Sequence, residues 1–306
     1  MKKNFKYSVV VPVYNSAGSL PELCKRLTNV FRKLKQNFEI ILVDDFSKDN
    51  SWDVMNTLHK KYMNVKIIQL MKNFGQDGAL MCGFNHAKGD YIIIIDDDLQ
   101  HPPEEIPKLI NKINEGYDVV FGVYKKKKHK FFRSLASKVV MNVFAKIVNI
   151  KFAVTSFRII SRNVINEMIK CKNYKVNINV MLSNIAGRIS SVRVRHDKRK
   201  YGKTNYTFIK LARWALNMIF NFTVFPLRLA TILGLFFSGL SVFVGIYFLV
   251  QYYFNNILVG GFTSLILSIT FFSGIILFIM GIIGEYLGRV FMNLNEKPQY
   301  IVRQIK

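Results

Sequence analysis

The chain has 306 residues, half of them hydrophobic with Phe 26 and Tyr 14, so one large or two modest domains can bury a core. Lys+Arg 44 against Asp+Glu 19 gives a formal net charge of +25, which calls for an anionic partner or surface. Cys24, Cys82 and Cys171 have no CxxC spacing and the five histidines no ligand spacing, which excludes a disulfide framework and a zinc site. A reducing compartment is expected.

Met1-Lys2-Lys3 before Val9-Val10-Val11 mimics a signal peptide, but the apolar stretch is short and broken at Pro12. The front half is therefore expected to stay on the side where the chain is made. Residues 8–13 form a Val-rich strand, ended by Pro12 and the turn formers Asn15, Ser16 and Gly18. Leu20, Leu23, Leu27, Val30 and Leu34 follow at helical spacing. Residues 38–43 make a second buried strand, closed by Asp44-Asp45-Phe46-Ser47, and a helix runs over 51–62.

A third strand spans 65–70, a loop and helix 73–87, and a fourth strand 91–95 runs into Asp96-Asp97-Asp98. Strands alternating with helices, each strand a nearly continuous apolar run, predict a mostly parallel α/β sheet covered on both faces. Ligands of such sheets bind beyond the carboxyl ends of the strands, where strand order reverses. The polar clusters 12–15, 44–47 and 96–100 all fall at such ends.

Two amphipathic stripes follow. Leu135, Val139, Val143, Phe144 and Ile147 run beside Arg133, Lys138 and Lys146; Phe208, Leu211, Ala215, Leu216 and Ile219 run beside Lys210 and Arg213. Cationic helices of this kind lie in a lipid headgroup plane or pack on the domain. Residues 229–284 carry no charge and divide at Asn255-Asn256 and Gly260-Gly261. The halves, 229–254 and 262–283, each exceed the roughly 20 residues a spanning helix needs. Arg213 and Arg228 before the pair, and Arg289, Lys297 and Arg303 after it, place both flanks in the cytoplasm by the positive-inside rule. With such an anchor, anionic lipids account for the positive charge better than nucleic acid, for which no recognition motif is present.

Asp96 and Asp98 form an Asp-x-Asp pair at a strand end. Adjacent carboxylates repel one another unless a cation lies between them, and oxygen ligands favour Mg2+ or Mn2+ bridging to a diphosphate. A helix cap would employ one Asp, and Pro102-Pro103-Glu104-Glu105 does open a helix shortly afterwards. The Asp44/Asp45 pair is equally compatible with a capping turn.

In order, Val11-Pro12-Val13-Tyr14-Asn15, Val43-Asp44-Asp45-Phe46-Ser47, Asn73-Phe74-Gly75-Gln76 and Asp96-Asp97-Asp98-Leu99-Gln100-His101-Pro102-Pro103 resemble family 2 glycosyltransferases of the GT-A fold. Within that family the chain is most similar to the polyprenyl-phosphate glycosyltransferases, among them undecaprenyl-phosphate glucosyltransferases and dolichol-phosphate mannose synthases. Ser156-Phe157-Arg158 and Tyr201-Gly202-Lys203-Thr204 extend the resemblance into the two-span anchor. It implies an inverting, metal-dependent transfer from a nucleotide-sugar, a UDP-sugar by preference, to polyprenyl (undecaprenyl) phosphate at the bacterial plasma membrane. By the same resemblance Pro12, Tyr14, Asn15, Asp44, Asp45, Asn73 and Asp97 line the nucleotide-sugar pocket. Asp96, Asp98 and Gln100 hold Mg2+ or Mn2+ and the diphosphate, with Asp96 and Asp98 as the catalytic pair. Arg133, Ser137, Arg158, Arg199 and Lys203 meet the lipid phosphate.

Phe46 stands where the family commonly has Gly, Ser156 where glucosyltransferase relatives have an Asp, and Asp77 is unusual in its motif. The domains expected are a catalytic unit 1–205, a juxtamembrane helix 206–225, a hairpin 226–288 and a cytoplasmic tail 289–306, with a homo-oligomer left open. A processive polysaccharide synthase is the rival enzyme, and a non-catalytic membrane scaffold the rival class. Lys210-Leu211-Ala212-Arg213-Trp214 lacks the Gln of the processive signature, and the intact Asp96/Asp98 pair disfavours a scaffold.

Overall fold

The computed structural model describes residues 5–124, 155–172, 177–197, 225–254, 261–294 and 297–306. Two compact units are present: Met1–Asn205 with Glu296–Lys306, and Tyr206–Asn295.

The first unit is built on apolar runs that become strands buried on both faces. These are β1 (Tyr7–Val13), β2 (Phe38–Asp44), β3 (Val65–Leu70) and β4 (Tyr91–Ile94). Between them lie α1 (Leu20–Leu34), α2 (Ser51–Lys61) and α3 (Gln76–His86). The apolar residues of α1 that recur every three or four positions, Leu20, Leu23, Leu27 and Phe31 among them, are buried against the sheet. On α3, Gly83 lies so close to β1 that a Cβ there would come within 2.3 Å of Val10 Cγ1. A three-residue 3-10 turn at Pro103–Glu105 leads into α4 (Ile106–Ile113) and β5 (Val119–Val123). Then come β6 (Arg158–Ser161), α5 (Arg162–Lys170), α6 (Ile178–Ile185) and β7 (Ile189–Arg193).

The strands form one eight-stranded sheet in the order β7-β5-β6-β4-β1-β2-β3-β8, where β8 is Val302–Ile305. Pairings β1–β2, β1–β4, β2–β3 and β5–β7 are parallel. The sheet is mixed rather than wholly parallel, because β6 runs antiparallel to β4 and β5, and β8 antiparallel to β3. Both exceptions are four-residue strands, too short for hydrophobic periodicity to register. The chain steps from β1 to β2 to β3 on one side, then returns to place β4 on the other side of β1. Strand order therefore reverses at the β1/β4 boundary, where a doubly wound sheet opens a crevice.

The second unit contains α7 (Phe225–Phe254) and α8 (Phe262–Leu294), of 30 and 33 residues. The two touch through the rings of Phe237 and Phe271, 5.8 Å apart. Within α8 the window Phe271–Gly288 is long and apolar enough to cross a bilayer, with mean hydropathy 1.8 and none of it buried. Among the described residues it is the one such window. Both amphipathic stripes predicted around residues 135–147 and 208–219 lie outside the described residues.

Candidate active site

A cleft of about 330 Å³ opens at the strand-order reversal. Pro12, Val13 and Tyr14 line it from the end of β1, and Asp96, Asp97 and Asp98 from beyond β4. Asp45 closes one side, with Asn73, Gly75 and Gln76 from the loop that opens α3. Of the expected pocket residues, all but Asn15 and Asp44 line it. Val13, Gly75 and Gln76 join them; the last two belong to the Asn73-Phe74-Gly75-Gln76 motif, which had already marked that loop.

Asp44 and Asn15 serve the walls instead. Asp44 is wholly buried, and its carboxylate accepts from Ser47 N at 3.1 Å and Gln69 Nε2 at 3.2 Å. Asn15 donates its amide N–H to Ser47 Oγ at 2.9 Å, and its side chain accepts from Lys48 N at 2.7 Å. The turn after β1 is thereby tied to the turn after β2. Three residues at these strand ends adopt left-handed backbone: Asn15 (φ 54), Phe46 (φ 61) and Leu99 (φ 59). Such conformations cost a bulky residue about 1–2 kcal/mol and cluster where the chain must turn sharply around a site. At 46 they account for the preference for glycine.

Asp45, 4% exposed, accepts backbone N–H bonds from Phe74 at 2.7 Å and Gly75 at 2.8 Å, and so anchors the α3 loop. Burial pushes its carboxyl up to about 6 in spite of those two bonds, with the neighbouring Asp44 raising it further. Asp97 is pushed up to about 7, first by burial and then by the charges of Asp96 and Asp98, against hydrogen bonds from Ser16 and the Tyr14 amide. The Tyr14 N–H reaches Asp97 Oδ2 at 3.3 Å across the β1/β4 boundary.

Asp96 accepts from Gln76 Nε2 at 2.8 Å on one oxygen and from Ser156 Oγ on the other. Asp98 Oδ1 accepts from Gln100 N at 3.0 Å. The acidic edge is thus oriented by amides and a hydroxyl, and three crowded carboxylates mark a place for positive charge. Among the described residues no three Asp, Glu, His or Cys side chains converge into a complete metal cage. Asp96 and Asp98 line the cleft and Gln100 does not; two carboxylates suit Mg2+ or Mn2+ that shares its shell with substrate phosphates, which is how these ions commonly bind.

Arg158 does not line the cleft. It is 3% exposed, donates from Nη1 to Asn179 Oδ1 and lies 5.5 Å over the Phe121 ring. Burial lowers its guanidinium to about 10, while the charges of Asp77 and Asp96 oppose that shift. Burial pushes the Asp77 carboxyl up to about 6, against the charge of Arg158 and a backbone bond from Ile178. Next to Asp98, the rings of His101, Tyr124, Phe157 and His196 pack together, His101 against Phe157 at 5.3 Å and Tyr124 against His196 at 3.8 Å. Burial, and secondarily His196, lowers His101 to about 4. Arg133, Ser137, Arg199 and Lys203 lie outside the described residues.

Residues 8–169 match the family model described as Glycosyl transferase family 2. The uncharacterized glycosyltransferase YkcC of Bacillus subtilis is 34% identical over 310 residues, covering 99% of this chain and 95% of its own length. The fold is similar to that of glucosyl-3-phosphoglycerate synthase from Mycobacterium tuberculosis, solved with phosphoglyceric acid (TM-score 0.52, 14% identity, 72% of this chain and 79% of that one). The same enzyme solved with Mn2+, uridine-diphosphate and glucosyl-3-phosphoglycerate gives a TM-score of 0.50 at 14% identity, over 72% and 79% of the two chains. A match over more than half the chain, a full-length relative and a shared sheet agree: the chain belongs to glycosyltransferase family 2, on the GT-A fold.

Proposed function

We propose that the chain transfers a sugar, with inversion, from a UDP-sugar to polyprenyl phosphate, giving a lipid-linked monosaccharide for the bacterial envelope. The observation that carries this reading is Ser156. It donates to Asp96 and stands where many glucosyltransferase relatives have an Asp proposed as base and mannose synthases have Ser. An alcohol acceptor needs such a base. A phosphate monoester, with a second pKa of about 6, is already largely dianionic at neutral pH and needs none.

In this mechanism the acceptor phosphate oxygen forms the new bond to the anomeric carbon. The bond from that carbon to the donor diphosphate breaks, and the nucleoside diphosphate leaves with the electron pair. Tyr14, Asp45 and Asn73, which line the cleft, are assigned to the nucleotide. Asp96, Asp98 and Gln100 would hold Mg2+ or Mn2+, which when bound would supply positive charge beside the leaving diphosphate. Gln76 and Ser156 keep the Asp96 carboxylate facing the cleft, so that little reorganisation accompanies transfer. Arg133, Ser137, Arg199 and Lys203 are assigned to the lipid phosphate, and buried Arg158 supplies positive charge behind Asp96.

The long apolar helices support a membrane-bound acceptor. We assign α7 and α8 to a two-span hairpin at 226–288, with the catalytic unit 1–205, the juxtamembrane helix 206–225 and residues 289–306 on the cytoplasmic side. The test is to incubate the full chain in detergent micelles with undecaprenyl phosphate, Mn2+ and a panel of nucleotide-sugars, and to identify products by mass spectrometry. A glycosyl-phosphoryl-undecaprenol from one donor is expected. Transfer to a soluble acceptor, with none to the lipid, would overturn the reading.

A further inference from the structure

We infer that β8 belongs to the donor site, with Arg303 and Gln304 acting as positioning residues for the turn at 44–47 that faces the nucleoside. The inference rests on the proposed function, which puts the nucleotide beside Asp45.

The strand is firmly seated. Lys306 and Ile67 exchange backbone bonds at 2.9 Å in both directions, and Met71 N donates to Ile301 O at 2.8 Å. Gln304 pairs with Gln69, and the register shifts between Gln69 and Leu70. Irregularities of this sort re-aim side chains near sites. Here Gln304 Nε2 donates to Gln69 Oε1 at 2.9 Å, and Gln69 Nε2 donates to Asp44 Oδ2 at 3.2 Å. Asp44, an acceptor only, requires the Nε2 end of the Gln69 amide, and without Gln304 the Gln69 side chain loses the second of its two anchors. Asp44 in turn holds Ser47 N.

Arg303 reaches the same turn by another route, since neighbouring residues of a strand point to opposite faces. Its guanidinium lies 5.4 Å from the centroid of Phe46. Phe46 is 37% exposed and holds φ 61, a conformation that persists only when the surroundings enforce it. The bonds of Asp44 and Asn15 fix the residues after Phe46, and the contact on its ring comes from Arg303. Two successive side chains of one short strand therefore converge on the turn that also carries Asp45, a wall of the cleft.

The experiment uses the full chain in detergent micelles, comparing wild type with Arg303→Ala, Gln304→Ala and Arg303→Lys. UDP affinity is measured by calorimetry, alongside kcat, the two KM values and Tm. Each alanine variant is expected to weaken UDP binding and raise donor KM about fivefold, on the scale of one exposed cation–π contact. The acceptor KM, kcat and Tm should stay near wild type, and Arg303→Lys should recover most of the loss. Unchanged UDP affinity in both alanine variants would overturn the inference, as would a joint loss of kcat, both KM values and Tm. A wild-type chain that binds no nucleotide would overturn the proposed function as well. A wild type that binds UDP, with variants that bind it equally, would overturn the inference alone.

Discussion

Replacing Asp45 by Asn is expected to make the protein more stable and less active. Asp45 is buried with its pKa up at about 6, whereas the unfolded carboxyl titrates near the ordinary 3.8. Between those values the folded state binds the proton more tightly, so stability falls as pH rises through the window and stays reduced above it. At about 1.4 kcal/mol per unit, the ionised carboxylate costs on the order of 3 kcal/mol at neutral pH. Asn is the uncharged isostere. Its oxygen keeps one of the two bonds from Phe74 N and Gly75 N, and its amide faces the other. The gain at pH 7.5 should be about 1–3 kcal/mol, or roughly 2–4 °C of Tm per kcal/mol in a domain of this size. It should fade below pH 4, where Asp45 is protonated in both states. Differential scanning fluorimetry across pH 4–8, with donor KM measured in parallel, checks both halves. An Asn variant that matches wild type at pH 4 but melts below it at pH 7.5 would refute the reasoning, because the two N–H bonds would then outweigh burial.

Four further outcomes are expected. Asp98→Asn should lower kcat by about 10²–10³ with Tm unchanged, and turnover that survives it in chelator would remove the metal from the site. Gly83→Ala should destabilise by about 1–3 kcal/mol or more, since the new methyl would meet Val10 Cγ1 at 2.3 Å; a neutral melting curve would show that α3 can shift. Asp77→Asn should, by the same linkage as Asp45, raise Tm at pH 7.5 and leave it unchanged at pH 4, since burial holds that carboxyl up at about 6; a lower Tm at pH 7.5 alone would show that the charge of Arg158 outweighs burial. Single cysteines at Asn256 and Ile305 should label from opposite sides of sealed vesicles, and labelling from one side would refute the hairpin.

Much of the site was legible in the sequence because a buried parallel strand announces its own end. The apolar runs of β1, β2 and β4 stop at Asn15, Asp44 and Asp96, and the strand-order reversal brings the first and last together. What the sequence concealed depends on residues far apart along the chain. Nothing local to Asp77 points to Arg158, whose charge acts on it only once β6 has inserted beside β4. The stack of His101, Tyr124, Phe157 and His196 likewise draws on four separate segments. The departure from glycine at Phe46 was visible, and its left-handed backbone shows why the position is sensitive. Alternating exposure along β8, with one short side chain pattern over four residues, left it indistinguishable from a tail.

That strand also sets an order of events during synthesis. Gln69 and Gln304 are 235 residues apart, and both long helices lie between them. A nascent chain can assemble β1 to β4 early, yet the free edge of β3 stays open until α7 and α8 have been made. An open edge of unpaired amides invites pairing with other chains, and late non-local closure prolongs that exposure. Ribosome pausing or a stop codon before residue 302 would leave a folded core with a bare, aggregation-prone border. Chaperone demand should therefore peak while the helices are being translated and drop once β8 has docked.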